Sequence, residues 1–117
     1  MREQVSIEKY VADLMDVDVS LLFTDCRFRK VADARKICFK FIRDYTGVLP
    51  KTIGEYFNHD RTTVNAGIKA CDNLCLVDKK FREKYNKVYE AYHIENKICL
   101  PFDNGRMEEE YLIDLQS

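Results

Sequence analysis

The sequence predicts an all-α domain, and three observations carry that prediction. Apolar residues recur at i, i+3, i+4 and i+7 in successive segments, no run alternates with a period of two, and there is neither an internal repeat nor a low-complexity tract. A chain of 117 residues is long enough to close one modest core. The expected layout is a helical domain over residues 1–93, followed by a loop and an acidic tail over 94–117.

The first helix is read from Ile7, Tyr10, Val11, Leu14 and Met15, with Ser6 as its N-cap and with Glu8 and Lys9 facing outward. A short apolar piece, Val19 to Phe23, precedes the basic run Arg27-Phe28-Arg29-Lys30. Val31, Ala34, Cys38, Phe41, Ile42 and Tyr45 then form the longest stripe, with Lys36, Lys40 and Arg43 toward its other side. Thr46-Gly47 ends that helix, since glycine adopts the left-handed C-cap readily. Pro50 starts the next, where a missing N–H costs nothing.

Ile53, Tyr56 and Phe57 predict about two turns, and Asn58-His59-Asp60 interrupts them. Asp60 suits the N-cap of a helix whose Val64, Ile68, Cys71, Leu74 and Cys75 face inward. Phe81, Tyr85, Val88, Tyr89 and Tyr92 mark a last long helix. That aromatic stripe could stack on single-stranded bases, but at helical spacing it reads as core. Beyond His93 the pattern stops: Pro101, Asn104 and Gly105 read as a loop, and Glu108 to Leu115 as a helical turn or a mobile end.

A net charge of −1 conceals an uneven distribution. Residues 1–26 set Arg2 and Lys9 against six carboxylates, and the last fifteen set Arg106 against five. Between them, residues 27–69 carry ten basic side chains against Asp33, Asp44, Glu55 and Asp60. A basic centre between acidic ends suits a protein that meets a polyanion with one face, although a solvated surface has the same composition.

No apolar run approaches eighteen residues and the N-terminus has no apolar signal core, which predicts a cytoplasmic protein without a membrane span. Five cysteines, an odd number without a CxxC pair, predict reduced thiols. Cys71 and Cys75 share a helix face, but zinc would need two further ligands and the only histidines are His59 and His93. No metal or cofactor is expected. His93 reads as a surface or satisfied polar residue. Without a nucleophile–base pair at catalytic spacing, the chain is not expected to be an enzyme.

Two short helices joined by a three-residue break predict a helix-turn-helix at about residues 51–73. Asp60, Arg61, Thr62, Thr63, Asn65 and Ala66 crowd the start of its second helix, with Lys69 a turn further on. In the major groove aspartate accepts from a cytosine amino group, arginine donates twice to guanine, and a threonine methyl touches that of thymine. Asp60 and the threonines are equally suited to capping a helix. The basic neighbours tip the reading toward duplex DNA.

From Arg27 to Leu74 the sequence resembles the C-terminal DNA-binding domain of the bacterial replication initiator DnaA. The resemblance rests on Val31-Ala32-Asp33-Ala34-Arg35, Thr46, Ile53-Gly54-Glu55-Tyr56-Phe57 and His59-Asp60-Arg61-Thr62-Thr63-Val64, in the family's order. The helix from Ile7 and the Val19 to Phe23 segment match that domain's opening, so the likeness covers roughly 85 residues. It implies a Trp-repressor-like, DnaA C-terminal-like helical fold. It also implies major-groove reading by Asp60, Thr62 and Thr63 and minor-groove insertion of Arg27. Arg43 and Lys51 would approach the duplex around the motif's first helix, and Arg35 matches an arginine that is either contacting or structural.

With Arg29, His59, Arg61, Asn65 and Lys69 on the same basic face, these residues form the candidate DNA site. The chain also departs from the pattern. Asn58 alone replaces a Gly-Gly pair, His59 and Arg61 replace the signature's arginine and histidine, and Lys51 stands where proline is usual. Arg61 would favour guanine where histidine would not. No G-x-x-x-x-G-K-[ST] loop occurs, so neither nucleotide binding nor ATP hydrolysis is expected. The expected function is specific duplex binding by a bacterial or phage-derived, nucleoid-associated regulator. A protein-interaction domain that has lost DNA reading is the alternative.

Overall fold

The computed structural model describes residues 4–102. Five α-helices dominate: α1 (Ile7–Met15), α2 (Arg29–Thr46), α3 (Pro50–Phe57), α4 (Arg61–Val77) and α5 (Lys79–His93). A 3₁₀ turn at Val19–Phe23 lies between α1 and α2. Their ends follow local chemistry. Ser6 accepts from the Lys9 amide to cap α1, Asp78 accepts from Phe81 to cap α5, and Gly47 closes α2 in the left-handed region at φ 75°.

The central helix is α2. Its Val31, Ala34, Ile37, Cys38, Phe41 and Ile42 are all buried, and α1 and α4 pack on it. Phe39 and Phe57 meet edge to face at 5.4 Å, joining α2 to α3. Phe41 packs beside Tyr85 and Tyr92 of α5. Lys40 ties α2 to α4 by an ion pair of 3.0 Å to Asp72, and pairs at 3.0 Å with Asp44 of its own helix. The aromatic stripe of α5 is thus divided: Phe81 is buried and Tyr85 and Tyr92 half-buried, while Tyr89 lies exposed against His93.

Two features were absent from the sequence reading. Val5–Ser6 (β1) pairs in parallel with Ile98–Cys99 (β2), a two-residue bridge too short to leave a periodic signature. The chain therefore returns over the body after α5, burying Ile98 and Leu100 and placing Phe102 against Tyr56. Glu8 corrects an expectation. It is buried rather than outward, and its Oε2 accepts a hydrogen bond from the Tyr56 hydroxyl, while among the described residues Oε1 has no partner. At 100° per residue Glu8 falls between Met15 and Ala12, both buried, so the helix itself turns this carboxylate inward and only its charge suggested solvent. The acidic segment from Glu108 to Leu115 lies outside the described residues.

Candidate nucleic-acid interface

The motif's geometry starts at the turn between α3 and α4. Asn58 takes the left-handed conformation at φ 63° and ends α3. The His59 amide then donates to the Gly54 carbonyl at 2.8 Å. So tight is this return that a Cβ on Gly54 would lie 2.3 Å from the His59 carbonyl oxygen. Here glycine is required by approach, not by backbone angle. Asp60 follows as the N-cap of α4, its Oδ1 accepting from the Thr63 amide at 2.7 Å. Those hydrogen bonds hold the Asp60 carboxyl below the usual carboxylate range.

Beyond the cap, α4 divides into two faces. Val64, Gly67 and Cys71 are buried, while Arg61, Thr62, Asn65, Ala66 and Lys69 lie exposed on the other side. At 100° per residue, those five positions fall within one sector of the helix. Gly67 lets α4 come close to α2, for a Cβ there would sit 2.8 Å from the Phe39 ring. A groove of about 430 Å³ runs between the two helices, floored by Phe39, Ala66 and Gly67 and edged by Lys36, Thr62 and Thr63. Among the described residues, neither Arg61 nor Lys69 forms an ion pair.

Asp60, Arg61, Thr62, Thr63, Asn65 and Lys69 are all exposed on or at the cap of α4, Arg29 lies in a groove with Asp16 and Asp18, and two other sequence-derived residues are turned to other tasks. His59 points inward: its Nε2 lies 3.2 Å from the Leu22 carbonyl, which can only accept, and its ring packs on Phe39. It fastens the turn to the 3₁₀ segment. Arg43 donates from one terminal nitrogen to the carbonyls of Gly47 and Val48, both at 2.9 Å, and so closes the α2–α3 connection. Lys51 is exposed on the first turn of α3.

The basic arm is set by Arg35. This guanidinium donates to the Thr24 carbonyl at 3.0 Å and to that of Cys26 at 2.8 Å, shaping the chain just before Arg27. Burial lowers its pKa, opposed by the nearby Cys26 and Asp25. Its role here is structural. Arg27 is exposed, and Arg29 lies 3.8 Å from Asp33 and 3.9 Å from Asp78 with most of its surface in solvent. At such exposure these pairs hold it weakly.

Burial raises the pKa of Cys38, Cys71 and Cys75, which disfavours thiolates. Among the described residues no group of three His, Cys, Asp or Glu side chains is placed to hold a metal. Nor is any described helix long and apolar enough to cross a membrane.

Comparison with known proteins agrees with this geometry. Residues 5–71 match the family described as bacterial dnaA protein helix-turn-helix. The chain is 33% identical over 78 residues to the chromosomal replication initiator protein DnaA of Flavobacterium psychrophilum, covering 66% of this chain and 16% of that protein. It is 28% identical over 87 residues to the protein of the same name from Wolbachia pipientis wMel, covering 74% and 19% respectively. The similarity thus spans less than a fifth of either initiator, and the family match runs from β1 through the turn into α4. By that match over more than half its length, the chain belongs to the bacterial DnaA helix-turn-helix family.

Proposed function

We propose that this protein is a sequence-specific reader of duplex DNA, with α4 in the major groove and Arg27 in the minor groove. The observation that carries the reading is the outer face of α4. Arg61, Thr62, Asn65, Ala66 and Lys69 stand free on a helix whose opposite face is anchored in the core. They are the residue types that pair with base edges and phosphates, and they begin at the N-terminal end, where a recognition helix meets bases. Asp60 and Thr63 contribute from the cap, and Lys51 and Arg29 supply phosphate contacts on either side.

In this reading the chain acts by occupying DNA. It would regulate or compete at sites of the kind the initiator uses, in a bacterial or phage-infected cytoplasm. Anisotropy of labelled duplexes at about 0.1–0.15 M salt tests this, using a DnaA-box duplex, a duplex enriched from a randomised pool, and random DNA. A preference of about a thousandfold over random DNA is expected. Weak binding shared by all duplexes and lost with added salt overturns it.

One observation favours a second reading, a protein-interaction scaffold. Leu76 and Val77, at the end of α4, are 79% and 71% exposed. Side chains of this kind commonly mark contact surfaces when they cluster. In that case the same titrations give no specific duplex, and substituting the outer face of α4 changes nothing.

A further inference from the structure

The outer face of α4 is two rows rather than one patch. Arg61, Asn65 and Lys69 are all exposed and follow one another at intervals of four residues. Each is therefore turned about 40° and raised about 6 Å from the one before. Beside them stand Thr62 and Ala66, which border the groove floored by Phe39. The first row carries the nitrogen donors, and the second carries methyl groups.

Asn65 is the informative member of the first row. Asparagine is a poorer helix former than alanine or lysine, and its amide brings no charge to a phosphate. The Asp60 cap bonds the Thr63 amide, a position short of Asn65, which belongs to the second turn of α4. Among the described residues the side chains of Arg61 and Asn65 make neither a hydrogen bond nor an ion pair. An exposed amide that breaks a local preference without a structural return points to function.

The chemistry of the row says what it can select. An asparagine amide meets adenine at N6 and N7 with one donor and one acceptor, whereas a guanidinium donates twice to O6 and N7 of guanine. The rise of about 6 Å between Arg61 and Asn65 is close to two base steps of about 3.4 Å. We propose that Arg61 and Asn65 together read a guanine and an adenine about two base steps apart, and that this purine pair sets the target of the protein. This rests on the duplex reading above and names the bases behind it. His59 takes no part, being held against Leu22 and Phe39.

The test uses the full chain and the tightest duplexes from the randomised pool, which should share a guanine and an adenine at that spacing. Replacing either base by its 7-deaza analogue removes N7 and keeps Watson–Crick pairing, and each replacement should weaken wild-type binding about tenfold or more. Arg61→Ala should lose the preference for guanine and keep that for adenine, and Asn65→Ala the reverse, each by about ten- to a hundredfold. For Asn65→Ala, 7-deazaadenine should cost nothing further, and the salt slope should match wild type because no charge is lost. Alanine favours the helix, so this variant should melt no lower than wild type, and its loss is one of contact. Selected duplexes without the purine pair, or an Asn65→Ala variant that still discriminates adenine, overturn the assignment and leave the duplex reading intact. Absence of any specific duplex for wild type removes both.

Discussion

Substituting Gly54 tests the turn that aims α4. A Cβ there would lie 2.3 Å from the His59 carbonyl oxygen and 3.3 Å from its carbon. An ordinary carbon–oxygen contact is about 3.3–3.6 Å, so Gly54→Ala must push the backbone apart by about 1 Å. The obstacle is main chain and cannot rotate away. Opening the turn strains two hydrogen bonds, His59 N to the Gly54 carbonyl at 2.8 Å and His59 Nε2 to Leu22 at 3.2 Å. At about 1 kcal/mol each they contribute about 2 kcal/mol, and the overpacking adds about 1–3 kcal/mol. Alanine's better helix propensity returns about 1 kcal/mol.

The net loss is about 2–4 kcal/mol, or a fall in Tm of roughly 10–20 °C for a domain near 100 residues. Gly47→Ala is the control, since Gly47 has φ 75° and open space where its Cβ would go. It should cost only the left-handed backbone penalty of about 1–2 kcal/mol. Urea unfolding followed by circular dichroism measures both, and anisotropy on the selected duplex measures the consequence for reading. Should Gly54→Ala unfold within about 0.5 kcal/mol of wild type, below the range of real packing defects, the close approach does not govern the turn.

Other perturbations separate scaffold from contact. Asp60→Ala should lower Tm, whereas Asp60→Asn keeps an acceptor for the Thr63 amide and should not; a loss of duplex affinity in Asp60→Asn alone then reports base contact. Because the folded Asp60 pKa is depressed, its stabilising contribution is present above the unfolded value of about 3.8 and lost as pH falls through the lower folded value. Acid titration of Tm should therefore be flatter for Asp60→Asn. Arg35→Ala, which frees the Thr24 and Cys26 carbonyls, should cost about 1–2 kcal/mol and weaken DNA binding through the arm. Lys69→Ala should leave Tm unchanged and reduce the slope of log affinity against log salt by about 1. Removing residues 103–117, a segment of net charge −4, should tighten binding and steepen its salt dependence if the acidic end competes with DNA for the basic face.

Most of the fold was legible in the sequence because the helices form a contiguous amphipathic pattern with local stops. Ser6, Gly47, Pro50 and Asp60 each end or begin a helix by chemistry confined to a few residues. The parts that were not legible depend on distant chain. Glu8 lies on the buried arc of α1, between Met15 and Ala12, but the Tyr56 hydroxyl that satisfies it comes from 48 residues further along the chain. The β1–β2 bridge has two residues per strand, too few to register as alternation.

The site divides along the same line. The exposed residues of α4 follow from periodicity once Val64 and Cys71 are assigned to the core. Direction was harder to read for the long cations and the histidine, because a flexible side chain near a helix end is drawn to whichever carbonyls are left unpaired. Arg43 turns to Gly47 and Val48, Arg35 to Thr24 and Cys26, and His59 to Leu22. Each satisfies main-chain acceptors that a loop cannot pair for itself. Basic composition therefore overcounts the charge offered to DNA: part of it braces the connections. Among the described residues Arg27, Lys30, Lys51, Arg61 and Lys69 are exposed and form no ion pair, whereas Arg35 and Arg43 are spent on the loops beside them.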